Sequence, residues 1–231
     1  MGKPKRNVSP DPFSLVPAIW NKLHTMWVVS TYPFVSVGKR VWFHYSCDLN
    51  RSVASHMKIG DSVSIDRGVW LNIPAPPETD EPTIILDKGC RIGRGVQISA
   101  KNRIHLERDV MVAGYSFMTD HNHAFEDVTV PTAHQGITEG GTIRIEEECW
   151  IGFGVTIVCS QGELVIGKHS VIGANSMVTR SIPPYSIVSG NPARIVKQFD
   201  PEKNSWELGA RSAAGSLTGT ESRLSDLAYS R

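Results

Sequence analysis

Aliphatic residues recur every six positions through the middle of this chain. From Ile59 the sequence reads IGDSVS and IDRGVW; from Leu86, LDKGCR and IGRGVQ; from Leu106, LERDVM and VAGYSF; from Ile145, IEEECW and IGFGVT; from Ile166, IGKHSV and IGANSM. The first position is always Ile, Leu or Val, the second Gly, Ala, Asp or Glu, and the fifth Val, Cys or Ser. A helix needs apolar residues at a spacing of about 3.6, and a half-buried strand needs alternation. Neither template fits. A period of six suits a short strand and a turn repeated around a coil.

In such a coil the aliphatic first residue points inward and stacks on its counterpart in the next coil. The small fifth residue also points inward, near a corner with little room. The Gly or acidic second residue is expected at the bend. One coil cannot bury its own apolar face, so stacking has to supply the core. The pattern predicts an all-β fold, a parallel β-helix of the hexapeptide-repeat class. Cys90 and Cys149 occupy the small inward position, which makes them packing residues. The handedness of the coil does not follow from the pattern, because parallel crossovers are normally right-handed.

The pattern organises the chain into three parts: an N-terminal segment over 1–36, the β-helix over 37–198, and a flexible C-terminal tail over 199–231. Residues 15–27, LVPAIWNKLHTMW, place Leu15, Val16, Ile19, Trp20, Leu23, Met26 and Trp27 on one face of a helix. Ser14 is its expected cap, and Pro17 is tolerable in a first turn. The plainer reading packs this helix against the first coil; a second sets it against the inner face of a membrane. Two interruptions are expected as loops: a Pro-rich acidic stretch at 73–85 and a longer one at 119–144. A long loop inside a regular stack is usually functional or disordered.

Composition narrows the function classes. The chain holds 24 Lys and Arg against 23 Asp and Glu, a net charge of +1, which predicts no nucleic-acid partner. No run of about 18 apolar residues appears, so no membrane span is expected. The first residues, MGKPKRNVSPDPF, are basic but lack a following apolar stretch, unlike a secretory signal. Cys47, Cys90, Cys149 and Cys159 show no CxxC spacing and read as reduced thiols of a cytoplasmic protein, with no metal site expected.

Three histidines, His121, His123 and His134, lie in the long loop. Imidazole is the side chain best suited to accept a proton near neutral pH. A sugar hydroxyl is a poor nucleophile until a base takes its proton. A thioester is already activated, so one base and one oxyanion-stabilising N–H suffice.

Four stretches together resemble the hexapeptide-repeat, left-handed β-helix acetyltransferases: DHNH at 120–123, CWIGFGVTI at 149–157, VIGANSMVTRSIPP at 171–184 and SGNPARIVK at 189–197. The resemblance covers about residues 59–198. It is nearest to the O-acetyltransferases of bacterial surface polysaccharide and more distant from galactoside and maltose O-acetyltransferases. It implies the left-handed coil, acetyl-CoA as co-substrate and a glycan or small-molecule acceptor. It also implies a homotrimer in which His121 of one chain faces Trp150 of another. By position, His121 matches the catalytic base and Trp150 a tryptophan bordering the acetyl-CoA channel. Phe153 stands where relatives often have a small polar residue, and its backbone N–H remains available to the thioester carbonyl. Ala174 matches a contact to the pantetheine arm. Thr179, Arg180, Arg194 and Lys197 match positions near the nucleotide end of CoA, where cations oppose phosphates. Asp120 and His123 are the expected acceptor contacts. The stretch IVCSQGELVIG, 157–167, is about three residues longer than the usual connection and is expected to touch the CoA channel.

The expected function is acetyl-CoA-dependent O-acetylation of a sugar hydroxyl. N-acetylation of an amino sugar or antibiotic is the alternative. A zinc enzyme resembling the γ-class carbonic anhydrases would draw three imidazoles from His121 and His123 with His105 or His134. A non-catalytic β-helix is the remaining reading.

Overall fold

The computed structural model of the protein describes residues 12–209 apart from 76 and 78. Short strands follow one another around a three-sided coil and pair in parallel with the coils above and below. Sheet A holds Ser36–Val37, Met57–Ile59, Ile84–Leu86, Arg103–Leu106, Gly140–Ile145 and Gln161–Ile166. Sheet B begins Trp42–Phe43, Ser64–Ile65, Arg91–Ile92, Met111–Val112, Trp150–Ile151 and Val171–Ile172. Sheet C holds Asp48–Leu49, Trp70–Asn72, Gln97–Ser99, Phe117–Thr119, Thr156–Val158 and Met177–Val178. The predicted parallel β-helix is therefore present.

Each hexad supplies one corner and the strand after it. The first residues, such as Ile59, Leu86, Leu106, Ile145 and Ile166, are buried to within 1% exposure. So are the fifth residues, including Val63, Cys90, Val110, Cys149 and Ser170. Burial pushes the thiols of Cys90 and Cys149 up to about 12, and that of Cys47, in the first coil, equally far.

The bend is not at the second residue. It falls on the fourth, which has positive φ in every hexad: Ser62, Gly68, Gly89, Gly95, Asp109, Tyr115, Glu148, Gly154, His169 and Asn175. One left-handed residue per corner turns the chain from one sheet to the next. Its N–H still bonds the coil below, as in Asp109 N–H to the Lys88 carbonyl (2.9 Å) and Glu148 N–H to that of Arg108 (2.9 Å). Glycine at the second position answers a different need. A Cβ on Gly152 would lie 2.5 Å from the Ile172 carbonyl oxygen, so the coils approach too closely there for a side chain.

Two devices cover the ends of the stack. Helix α1, Pro12–Thr31, lies on the open edge of the Trp42–Phe43 strand. The N–H groups of Trp42 and His44 bond upward to the next coil, which leaves those of Phe43 and Tyr45 facing the free edge. Thr25 Oγ1 accepts from Phe43 N–H (3.1 Å) and donates to its carbonyl (3.0 Å), and Asn21 Oδ1 accepts from Tyr45 N–H (3.0 Å). An edge that would otherwise template further pairing is thus closed. Ser14 lies inside this helix rather than capping it, and Pro17 falls in the second turn. The predicted apolar face does not pack on the first coil. Asn21 and Val28 are buried instead, while Trp20 and Trp27 remain more than half exposed. At the other end, Ser186–Ser189 pairs antiparallel with Arg194–Asp200, which pairs with Ser205–Leu208. Regular structure thus continues past residue 199, where the flexible tail was expected to begin; residues 210–231 and 1–11 lie outside the described residues.

Candidate active site

Asp120 and His121 stand where the chain leaves the Phe117–Thr119 strand. The Asp120 side chain is fully buried, and its carboxylate closes the corner of the coil below. Oδ1 accepts the N–H of Lys101 (2.7 Å), and Oδ2 accepts those of Asn102 and Arg103 (2.9 Å each). The same Oδ1 lies 3.0 Å from Nδ1 of His121. A carboxylate only accepts, so the network assigns the ring hydrogen to Nδ1. The Thr119 hydroxyl, 3.3 Å from Nδ1, donates to the His121 carbonyl (3.0 Å) and has no hydrogen left for the ring. Nε2 is left with a basic lone pair, on a residue 9% exposed.

This corrects the expected role of Asp120. Its oxygens are occupied by backbone and by His121, so it orients the imidazole and does not meet an acceptor. His123 is exposed, at the base of a hairpin-like excursion where it bridges to Ile137; Thr138 N–H bonds the Asn122 carbonyl (2.8 Å). His134 is in the short 3-10 turn Thr132–His134 at the exposed end of the same loop. Of the three loop histidines only His121 is held at the body of the coil.

The strand that returns from the loop passes close over the site. Gly140 has φ +74°, and a Cβ there would collide with the Asp120 carbonyl oxygen. The long connection at 157–167 also belongs here. Its added length forms Gln161–Ile166, which pairs residue for residue with Gly140–Ile145, and Asn122 Nδ2 donates to Ser160 Oγ (2.7 Å). It braces the histidine loop and also lines a cavity of about 310 Å³ with Thr179 and Arg180, two of the positions expected near CoA.

Trp150 stands on sheet B. It is 48% exposed, in an outward column that runs through Val171 and Ile187 to Lys197. Phe153 and Ala174 lie at the adjoining corner in successive coils, both exposed, and Phe153 makes an edge contact with Tyr115 (5.5 Å between centroids). Among the described residues the Phe153 N–H has no acceptor, although its carbonyl takes the Asn175 N–H (2.8 Å). Thr179 and Arg180 follow the Met177–Val178 strand. Arg180 and Arg194 line one cavity of about 550 Å³ with Ala193 and Gln198. His121 and Trp150 stand on different sides of the prism, so one chain does not bring them together.

The same column continues below Trp150 through Met111, Arg91 and Ser64 to Trp42. Ser64 leaves a notch, and a cavity of about 340 Å³ opens there between Trp42, Asp66, Arg91 and Met111. Sequence reading missed it. The signal was the sixth residue of alternate hexads, which lines this face. Among the described residues no group of three or more His, Cys, Asp or Glu is placed to hold a metal ion, and His105 pairs with Asp87 (2.7 Å) on sheet A.

No known family model matches the chain. Among curated proteins it is 30% identical over 130 residues to the provisionally named lipopolysaccharide biosynthesis O-acetyl transferase WbbJ of Escherichia coli K12, covering 54% of this chain and 65% of that one. It is 29% identical over 193 residues to the provisionally named acetyltransferase Rv3034c of Mycobacterium tuberculosis, covering 80% of this chain and 56% of that one. The chain thus spans less than two thirds of either relative. Among solved structures, AntD, an N-acyltransferase from Bacillus cereus in complex with dTDP and 3-hydroxybutyryl-CoA, superposes with a TM-score of 0.62 at 20% identity, over 79% of this chain and 90% of that one. The shared fold is the left-handed parallel β-helix. In repeat, fold and sequence, the chain is similar to the hexapeptide-repeat acetyltransferases.

Proposed function

We propose that the protein transfers the acetyl group of acetyl-CoA to a sugar hydroxyl, in the synthesis of surface polysaccharide or a related glycoconjugate, with His121 as general base. The observation that carries this reading is the Asp120–His121 pair, which leaves Nε2 ready to accept a proton at a nearly buried site. The hydroxyl proton passes to Nε2 as the hydroxyl oxygen attacks the thioester carbon. The Phe153 N–H is the proposed donor to the carbonyl oxygen as it gains charge. The C–S bond then breaks, and the thiolate of CoA takes the proton from the imidazolium.

The acyl-CoA lies along sheet B and its corner, past Trp150, Phe153 and Ala174, with its phosphates toward Thr179, Arg180, Arg194 and Lys197. The notch below Trp150 suits a pyranose: Trp42 offers an aromatic face, and Arg91 and Asp66 offer polar partners for hydroxyls. The proposed complete site lies between neighbouring chains of a homotrimer, a reading supported by the placement of His121 and Trp150 on different sides of the prism. AntD was solved in complex with 3-hydroxybutyryl-CoA, and WbbJ carries an O-acetyl transferase name; both are consistent with this reading. An amino sugar is the alternative acceptor.

The test is an acceptor panel with acetyl-CoA, including neutral sugars, amino sugars and a macrolide, with mass detection of the acetylated product. His121→Ala should lower kcat by about 10²–10⁴ while the rise in Tm on adding acetyl-CoA persists. His123→Ala should lose far less. Near-native turnover in His121→Ala would remove the base from the mechanism, and transfer to amines alone would replace the hydroxyl.

A further inference from the structure

Helix α1 is attached by its polar side. Asn21 and Thr25 are committed to the edge of the Trp42–Phe43 strand, and Val28 reaches the core at 2% exposure. These contacts fix the helix about its own axis and turn the apolar side out. Leu15, Ile19, Trp20, Leu23, Met26 and Trp27 are each 52–60% exposed. Isolated apolar residues on a surface mean little, but a continuous stripe of this size marks a place of contact.

Charge says what the contact is with. Residues 1–57 hold seven Lys and Arg against two Asp, a net +5 in a chain whose total is +1. The helix itself contains no acidic residue and one Lys, Lys22. The exposed Lys39, Arg40 and Arg51 lie in the first coil, at the same end of the stack. The remaining 174 residues therefore carry a net charge of −4. An apolar stripe bearing two tryptophans, at an end of the stack where the described residues 12–57 hold Lys22, Lys39, Arg40 and Arg51 against Asp48 alone, has the two features that hold a helix at an anionic bilayer surface.

We propose that α1 lies in the interface of an anionic lipid membrane, with the N-terminal end of the β-helix toward the lipid. No helix among the described residues is long and apolar enough to cross a membrane; the association is peripheral. It does not depend on the acetyltransferase reading.

The test is flotation of the full chain with phosphatidylcholine vesicles, with and without phosphatidylglycerol. Wild type should float with the phosphatidylglycerol vesicles, float far less with phosphatidylcholine alone, and be partly released by high salt. The double variant Trp20→Glu, Leu23→Glu alters the outward side only. It should lose at least tenfold in bound fraction while its Tm and far-ultraviolet dichroism remain those of wild type. Wild type staying in solution with phosphatidylglycerol vesicles would overturn the proposal, as would a double variant that floats equally well. Light scattering separates the rival occupant: if Trp20→Glu, Leu23→Glu converts an oligomer into monomers, the stripe is a contact between copies and the proposal fails.

Discussion

Asp120 is buried beside a histidine, with both oxygens engaged, and the value of that arrangement is the hydrogen it fixes on Nδ1. Asp120→Asn keeps the size of the side chain but offers either an amide N–H or a weaker acceptor to the ring. An N–H there favours the tautomer with hydrogen on Nε2, which cannot accept a proton. Turnover should fall by about 10²–10⁴ with little change in the acetyl-CoA-induced Tm shift. Equal loss of both would point to a collapsed corner instead. The letters DH were legible in the sequence, but the role of the Asp was not: its backbone partners lie 17 to 19 residues earlier, across the coil corner. Cys90 and Cys149, by contrast, were legible as inward packing residues from their place in the hexad. Their thiols are pushed up to about 12 by burial, against an ordinary value of 9.0. Cys47, Cys90 and Cys149 should therefore resist a thiol reagent at pH 8 until the chain is unfolded. The sign for stability follows: the folded state favours the neutral thiol, so its contribution is present below pH 9 and is lost as pH rises toward 12. An alkaline unfolding series should fall over that window, and less steeply in Cys90→Val.

At the level of the element, the hexad revealed its inward positions and concealed its bend. Aliphatic first residues and small fifth residues are selected by burial, which leaves a compositional trace. The fourth position is selected by backbone conformation, and it tolerates Gly, Asp, Asn and Ser but also Tyr115, Glu148 and His169. A left-handed non-Gly residue costs about 1–2 kcal/mol, which the ladder and the stacked core offset, so residue type there is a weak signal. An earlier hexad, VGKRVW at 37–42, lies within the span given to the β-helix and follows the same rule, with Arg40 at φ 57°. The glycines separate the two needs experimentally. Gly152→Ala sets a Cβ against the Ile172 carbonyl and should destabilise by about 1–3 kcal/mol, or roughly 2–4 °C in Tm per kcal/mol. Gly162 has φ +68° with nothing near its Cβ position, so Gly162→Ala should cost only the conformational term of about 1 kcal/mol. If the two losses were equal, close approach would not be the reason for glycine at the second position. Helix α1 was legible as a helix but not in its orientation. An apolar stripe is normally read as the packed side, yet the free strand edge needed hydrogen-bond partners, and Asn21 and Thr25 supplied them.

For the whole molecule, the open question is how His121 and Trp150 come to act on one substrate. They lie at different sides of one prism, a fact the sequence could not carry because it depends on which strand enters which sheet. If the complete site forms between chains, each site takes its histidine from one chain and its tryptophan from the next, and light scattering should give a mass near three protomers of 25.4 kDa. Complementation tests the geometry more directly than mass does. His121→Ala and Trp150→Ala should each reduce turnover when assembled alone. Mixed in equal amounts, unfolded together and reassembled, the two variants distribute at random among trimers. In a shared site an intact histidine then meets an intact tryptophan in about a quarter of all positions, whichever trimer they belong to. Activity should recover to about that fraction of wild type. If both residues of a site came from the same chain, no mixture of the two variants would contain an intact site, and the mixed sample would stay as inactive as its components. A clean monomer that is fully active at micromolar concentration would dispose of the shared site altogether.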